Sequence, residues 1–191
     1  MCEKEGGPML RRSSDGFTTI EVMMAMFVIV IALTSMLSLF SYAIATMQLT
    51  QDLLIAKQKA REALESIFTA RNTSQITFDM IQNDNVADGI FLVGYQDLRR
   101  PSTDGLIGTD DDAGEEIEKL TMPGPNGMLG DGDDVFRVLS SFQRLIQIDD
   151  ILFADATVNP DLRKIMVSIQ YFTPLGGQRT YQVESYVSRF R

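Results

Sequence analysis

The sequence contains no histidine. That excludes a Ser-His-Asp or Cys-His catalytic set and every metal site built on imidazole. The single cysteine, Cys2, lies at the extreme N-terminus, so no disulfide forms within the chain and cysteine usage is silent on redox compartment. Basic residues are few. Seventeen Lys and Arg against 26 Asp and Glu leave a formal charge of −9, the wrong sign for the phosphate backbone of a nucleic acid. G-x-S-x-G, G-x-x-x-x-G-K-[ST] and a strand-following G-x-G-x-x-G are missing as well. Acid pairs occur, but in Asp-rich loops where they carry little meaning. Neither a catalytic residue nor an enzyme is expected.

Charge is also absent from Val22 to Gln51, and Val22 to Met47 is almost wholly apolar. The run exceeds the roughly 20 apolar residues that cross a bilayer core. C-terminal to it lie roughly 140 residues of ordinary soluble composition, enough for one small core. A cleavable secretory signal fits Lys4, Arg11 and Arg12 as a basic start and Ala43-Ile44-Ala45 as a cleavage site, but its apolar centre is only about 7–15 residues long. A plain signal anchor fits the length and leaves Glu21, at the entrance of the run, without a purpose. Lys57, Lys59 and Arg61 balance the leader's basic residues, so charge asymmetry does not fix orientation.

Glu21 acquires a purpose in a third reading. Gly16-Phe17-Thr18-Thr19-Ile20-Glu21-Val22 at the head of a long apolar run resembles the class III signal of type IV pilins and pseudopilins. The resemblance implies that a prepilin peptidase cuts between Gly16 and Phe17 on the cytoplasmic side and methylates the new amino terminus of Phe17. Glu21 then becomes the fifth residue of the mature chain. In that family the glutamate pairs with the N-terminal amine of a neighbouring subunit, here that of Phe17, and sets axial register. Physics is consistent with this, because an ionisable group near lipid is usually kept for a partner. An interfacial glutamate held by headgroups and water is the plainer alternative.

Helical periodicity continues past Met47. Leu53, Ala56, Ala60, Ala63, Leu64, Ile67 and Phe68 fall at steps of three and four, with Lys57, Lys59, Arg61, Glu62 and Glu65 largely off that stripe. No Pro or Gly occurs between Phe17 and Thr77, so one helix from Thr18 to about Arg71 is expected, ~80 Å long at 1.5 Å per residue. Its second half needs a cover. Three strands are expected to supply it: Phe142 to Ile148, Lys164 to Phe172 and Gln178 to Arg189, with Pro174-Leu175-Gly176-Gly177 as a hairpin connection. The expected fold is α+β: a long N-terminal helix, membrane-spanning in its first half and amphipathic in its second, on a C-terminal antiparallel sheet. The tail, from Phe-x-Arg-x-Ile-x-Ile through Leu162-Arg163-Lys164 and Gly177-Gln178-Arg179 to Glu184-Ser185-Tyr186-Val187-Ser188, resembles the minor-pilin branch of the same family.

Between Asp97 and Asp134 acids outnumber bases eleven to three, in a Gly- and Pro-rich setting. Asp104-Gly105-Leu106-Ile107-Gly108-Thr109-Asp110-Asp111-Asp112 recurs as Asn126-Gly127-Met128-Leu129-Gly130-Asp131-Gly132-Asp133-Asp134. Glycines two residues apart followed by clustered carboxylates suit turns that aim oxygen at Ca²⁺, with Asp110, Asp111, Asp112, Asp131, Asp133 and Asp134 as candidate ligands. EF-hand spacing is absent, and a solvated, repulsive loop is the alternative. Some pseudopilins hold calcium in a loop, which the resemblance carries over as a possibility without naming ligands.

These readings divide the chain into a cytoplasmic leader (1–16), a transmembrane and assembly half-helix (17–47), an amphipathic half-helix (48–72) and a periplasmic domain (73–191) with its acidic region at 97–134. The resemblance implies a minor pilin or pseudopilin of the bacterial inner membrane, a structural subunit of a type IV pilus or type II secretion-type filament. Its partners would be prepilin peptidase, other pilin or pseudopilin subunits and inner-membrane lipid, with no direct nucleic-acid contact. The alternative is a membrane-tethered, extracytoplasmic, calcium-dependent binding or adhesion module.

Overall fold

A computed structural model describes residues 16–173 and 176–190. The leader as far as residue 15, and the Pro174-Leu175 half of the expected hairpin connection, lie outside the described residues. The elements run α1 (Thr19–Asn72), β1 (Gln96–Asp97), a 3-10 turn (Asp110–Gly114), β2 (Lys119–Met122), β3 (Val135–Val138), β4 (Phe142–Leu152), β5 (Val158–Phe172) and β6 (Gln178–Ser188). The architecture is α+β: α1 packs on a C-terminal antiparallel sheet of order β1-β4-β5-β6, beside a two-stranded β2–β3 ribbon. The chain divides into two compact units, Met1–Ile44 and Ala45–Arg191, and α1 contributes to both.

In the first unit α1 buries nothing and is long and apolar enough to cross a membrane. Its hydroxyls are satisfied internally. Thr34 and Ser35 donate to the Ile31 carbonyl at 2.9 and 2.8 Å, Ser38 to Thr34 at 3.0 Å and Ser41 to Leu37 at 3.2 Å. Such back-bonding pairs these four donors, so that an apolar surrounding does not penalise them.

In the second unit the helix stripe is covered. Ile55, Ala56, Ala60, Ala63, Ile67 and Ala70 share one buried cluster with Phe142, Ile146, Ile165, Val167, Ile169, Tyr171 and Val187 from the sheet. Alanine at the centre of the stripe lets backbone and sheet approach closely, and Phe142 stacks on Tyr171 with ring centroids 5.4 Å apart. The helix ends at Asn72, where Ser74 takes a left-handed φ of 62° and Gln75 and Ile76 donate to the Ala70 carbonyl.

The strands run further than alternation of apolar residues indicates. β4 continues from Ile148 to Leu152, and β5 begins at Val158 rather than Lys164. The register places Asp149 opposite Lys164 and Asp150 opposite Arg163, each pair closing at 3.3 Å. Charge complementarity across strands thus sustains the ladder where hydrophobic alternation stops. Pro160 is tolerated because β6 reaches only to Leu162 and the β4 register shifts between Asp150 and Leu152. The β5–β6 connection closes with Thr173 and Gly177, whose N–H and carbonyl meet at 3.0 Å.

Candidate functional site

Two regions carry the residues singled out by sequence. At the N-terminus Thr18 caps α1. The Glu21 N–H donates to the Thr18 carbonyl at 3.1 Å and to its Oγ1 at 3.3 Å. Glu21 therefore sits in the first helical turn, where a carboxylate is favoured by the helix dipole. Thr18 and Glu21 stand at the Thr-x-x-Glu spacing of a capping box, but only the Thr18 half is made, a local role for Thr18 that the apolar run obscured. Among the described residues the Glu21 carboxylate has no hydrogen-bond or ion-pair partner. Phe17 is exposed, and nothing crowds Gly16 within 4 Å.

The acidic near-repeat proves to be a repeat of structure, and it extends back to Pro101 and Pro123. Gly105 and Gly127 both have φ of 73°, while Gly108 and Gly130 have 90° and 96°. The Asp104 side chain accepts from the Leu106 N–H at 2.9 Å, and Asn126 accepts from Met128 at 2.7 Å. These are the same Asx turn, which explains why Asp and Asn interchange there. Gly108 donates to Asp112 Oδ2 at 2.7 Å, and Gly130 to Asp134 Oδ2 at 2.8 Å. The last carboxylate of each copy staples its own turn.

The copies differ in surroundings. In the first loop Leu106 and Ile107 are each 2% exposed, and Asp112 is buried, its Oδ1 taken by the Ser102 N–H at 2.9 Å. In the second, Met128 and Leu129 are 68% and 65% exposed. Gly124 stands where Ser102 does, and a Cβ there would meet the Asp133 carbonyl oxygen at 2.2 Å. Asp134 Oδ1 is left without a partner among the described residues.

The six candidate calcium ligands therefore separate. Asp131, Asp133 and Asp134 bring carboxylate oxygens within 4.8 Å of one another. Asp112 is committed to backbone donors and Asp111 to the Thr109 hydroxyl at 2.6 Å. Asp133's carboxyl, and then the Asn126 amide, hold Asp131 below the ordinary carboxylate range. Three convergent oxygens are a donor set for a hard cation, which takes 6–8 oxygens in all.

Comparisons with protein families, with curated proteins and with solved structures find no match to this chain.

A third group went unread in the sequence: charges buried where α1 meets the ribbon. Lys59 bonds Glu62 at 2.7 Å and also pairs with Glu118. Arg144, 3% exposed on the core face of β4, faces Glu118 Oε1 at 3.9 Å, a charge contact beyond hydrogen-bond reach. Burial holds the Arg144 guanidinium below its usual range, opposed by Glu118, Asp112 and Glu62. Burial pulls Lys59 down too, yet its bonds to Glu118 and Glu62 outweigh it and raise the ammonium above its ordinary value. Asp52, buried in α1, accepts from Arg137 of β3 at 2.7 Å. Lys59, Glu62 and Glu118 of this group line a cleft of about 400 Å³ whose other walls include Arg100, Glu116 and Phe136. Its charges answer one another across elements distant in sequence, and so it holds the ribbon to the helix. Only the partners' positions reveal this, because Lys59 and Glu62 alone read as a solvated helix face.

Proposed function

We propose that this chain is a structural subunit of a membrane-derived filament, a minor pilin or pseudopilin. In this reading it is cleaved after Gly16, N-methylated at Phe17, and held in the bacterial inner membrane with its C-terminal domain in the periplasm until assembly. One observation carries the reading. A Thr18-capped helix opens with Gly-Phe-Thr-Thr-Ile-Glu and runs through 30 residues without charge, from Val22 to Gln51, with nothing buried from Glu21 to Ile44. Exposed in a single chain, that surface calls for lipid or for like helices.

In a filament the apolar contacts supply adhesion but specify axial position poorly, since a slip of one helical turn preserves much of the packing. A carboxylate one turn inside the new amino terminus resolves that degeneracy. Glu21 would pair with the charged, methylated amine of Phe17 on a neighbouring subunit, a partner that a single chain does not contain. Prepilin peptidase and other subunits are the partners implied. Intact mass and N-terminal sequencing of the protein from its native membrane test the reading, and N-methyl-Phe17 is expected. A chain beginning at Thr46 or at Met1 would overturn it. Glu21→Ala is expected to preserve insertion and lower recovery in filaments.

The convergence of Asp131, Asp133 and Asp134 favours a second reading, a membrane-tethered module that binds Ca²⁺ in its second acidic loop. Calorimetric titration of the detergent-solubilised chain with Ca²⁺, with Asp133→Asn as control, tests the site this module requires. Binding lost in the variant places Ca²⁺ in the second loop, and no heat at millimolar Ca²⁺ removes the module.

A further inference from the structure

The two acidic loops share a backbone, an Asx turn, a carboxylate staple and an apolar pair at the tip, yet only the first has its tip covered. Leu106 and Ile107 enter the core, and the Gly108 backbone passes so near the Ile146 side chain that a Cβ would lie 2.5 Å from Cδ1. The loop is thus already shown, once in this chain, to work as a plug for an apolar recess. Its second copy holds Met128 and Leu129 in solvent on an equally fixed turn, with Asp131, Asp133 and Asp134 at the base. Adjacent apolar side chains on a fixed backbone turn bind without the cost of ordering the loop, and the carboxylates beside them select a receptor with a cation at its rim.

Such a receptor exists on the same domain. Leu49, Leu53 and Tyr171 line a cleft of about 330 Å³, with Thr50, Thr180 and Arg179 at its edge. The Arg179 guanidinium makes no ion pair or hydrogen bond among the described residues, although acids outnumber bases in this chain. The cleft beside Leu54 and Arg61 is lined chiefly by charged and polar helix residues, so it offers little to an apolar tip. Since Met128 and Leu129 are exposed, the chain's own cleft does not hold them.

We infer that the Met128–Leu129 tip of one subunit seats in the Leu49–Leu53–Tyr171 cleft of a second copy, with the Asp131–Asp134 carboxylates against that copy's Arg179. Repeated in one direction along a filament, such a tip-to-cleft contact is heterologous, head-to-tail. It rests on the reading of the chain as a filament subunit and adds to it a contact between the second acidic loop and the end of the apolar run.

The test uses the full-length chain in its native membrane, in a Cys2→Ser background. Met128→Cys and Thr50→Cys, both at exposed positions, are placed on separately tagged copies, co-expressed and treated with a short bismaleimide. A covalent dimer carrying both tags is expected. Arg179→Glu should lower its yield about tenfold through like-charge contact. Combining Arg179→Glu with Asp131→Lys and Asp133→Lys on the other copy should restore it. Resistance to pulse proteolysis establishes that each variant is folded. No two-tag dimer, a dimer indifferent to Arg179→Glu, or cross-linking of Met128→Cys to a different protein would each overturn the contact. The N-terminal mass of the same sample reports separately on the filament reading. Processed Phe17 without the dimer sinks the contact alone, whereas a dimer of unprocessed chains sinks the filament and leaves the contact.

Discussion

The first acidic loop and the second are nearly one loop in sequence and one loop in backbone, and they occupy opposite environments. Leu106-Ile107 and Met128-Leu129 are chemically equivalent pairs on matching turns, but the first pair is sealed in the core and the second faces solvent. The turn is encoded locally, by an Asx residue, two glycines with φ between 73° and 96°, and a carboxylate reaching back to the second glycine. Burial is not encoded there. It is decided by what the rest of the chain lays over the tip, and β4 with Ile146 lies over only one of them. A motif can therefore be structurally complete and still leave its apolar surface for another molecule.

That contrast can be broken most forcefully at the tips. Leu106→Ala is expected to cost about 2–5 kcal/mol, as a buried leucine does when a cavity replaces it. Met128→Ala should stay within about 0.5 kcal/mol. Urea midpoints from pulse proteolysis of the detergent-solubilised chain measure both. Equal losses would mean the second tip is packed after all.

The glycines come next. Gly108→Ala and Gly130→Ala share the penalty of a left-handed φ, about 1–2 kcal/mol. At Gly108 the new methyl also meets the buried Ile146 side chain, adding about 1–3 kcal/mol of overpacking, whereas nothing lies within 4 Å at Gly130.

The staples should differ by less. Asp112 accepts two backbone N–H bonds from a buried position, so Asp112→Asn should lose about 1–3 kcal/mol, and Asp134→Asn, with its single backbone bond, less than half of that.

The smallest effect is a titration. Asp131 is held below the ordinary carboxylate range by Asp133 and then Asn126, so its contribution is present above that range and lost as pH falls through the lowered value. Asp133→Ala should return Asp131 toward its ordinary value, followed by carboxyl-carbon NMR, while the first loop's signals stay put.

Much of this fold is legible before any coordinates. The Ala56–Ala60–Ala63–Ile67 stripe follows from spacing alone, because no Pro or Gly interrupts it and a 3.6-residue period has no other use for small residues in line. The central parts of β4, β5 and β6 follow from alternation. What escapes is whatever depends on register. Asp149 and Asp150 end an apolar pattern and look like a loop until Lys164 and Arg163 stand opposite them. β2 and β3 are too short and too exposed to stand out. Arg144 alternates with Phe142 and Ile146, so its place on the core face was readable, but Glu118, the charge that answers it, arrives from a loop. The same holds for the candidate site. The repeat, Gly16-Phe17 and Glu21 are visible in sequence, whereas the convergence of Asp131, Asp133 and Asp134, with Asp111 and Asp112 bonded elsewhere, is not.

Arg71, at the end of α1, hydrogen-bonds the carbonyls of Ser188 and Phe190, partners 117 and 119 residues further along the chain. Asp52 likewise waits 85 residues for Arg137. The helix is thus synthesised long before anything exists to cover its alanine stripe, and its second half cannot close its core until nearly the last residue has been made. Contacts so distant in sequence impose slow closure. A nascent chain of this design spends the interval with a finished helix and an unfinished domain, its alanine stripe open until the last strand arrives.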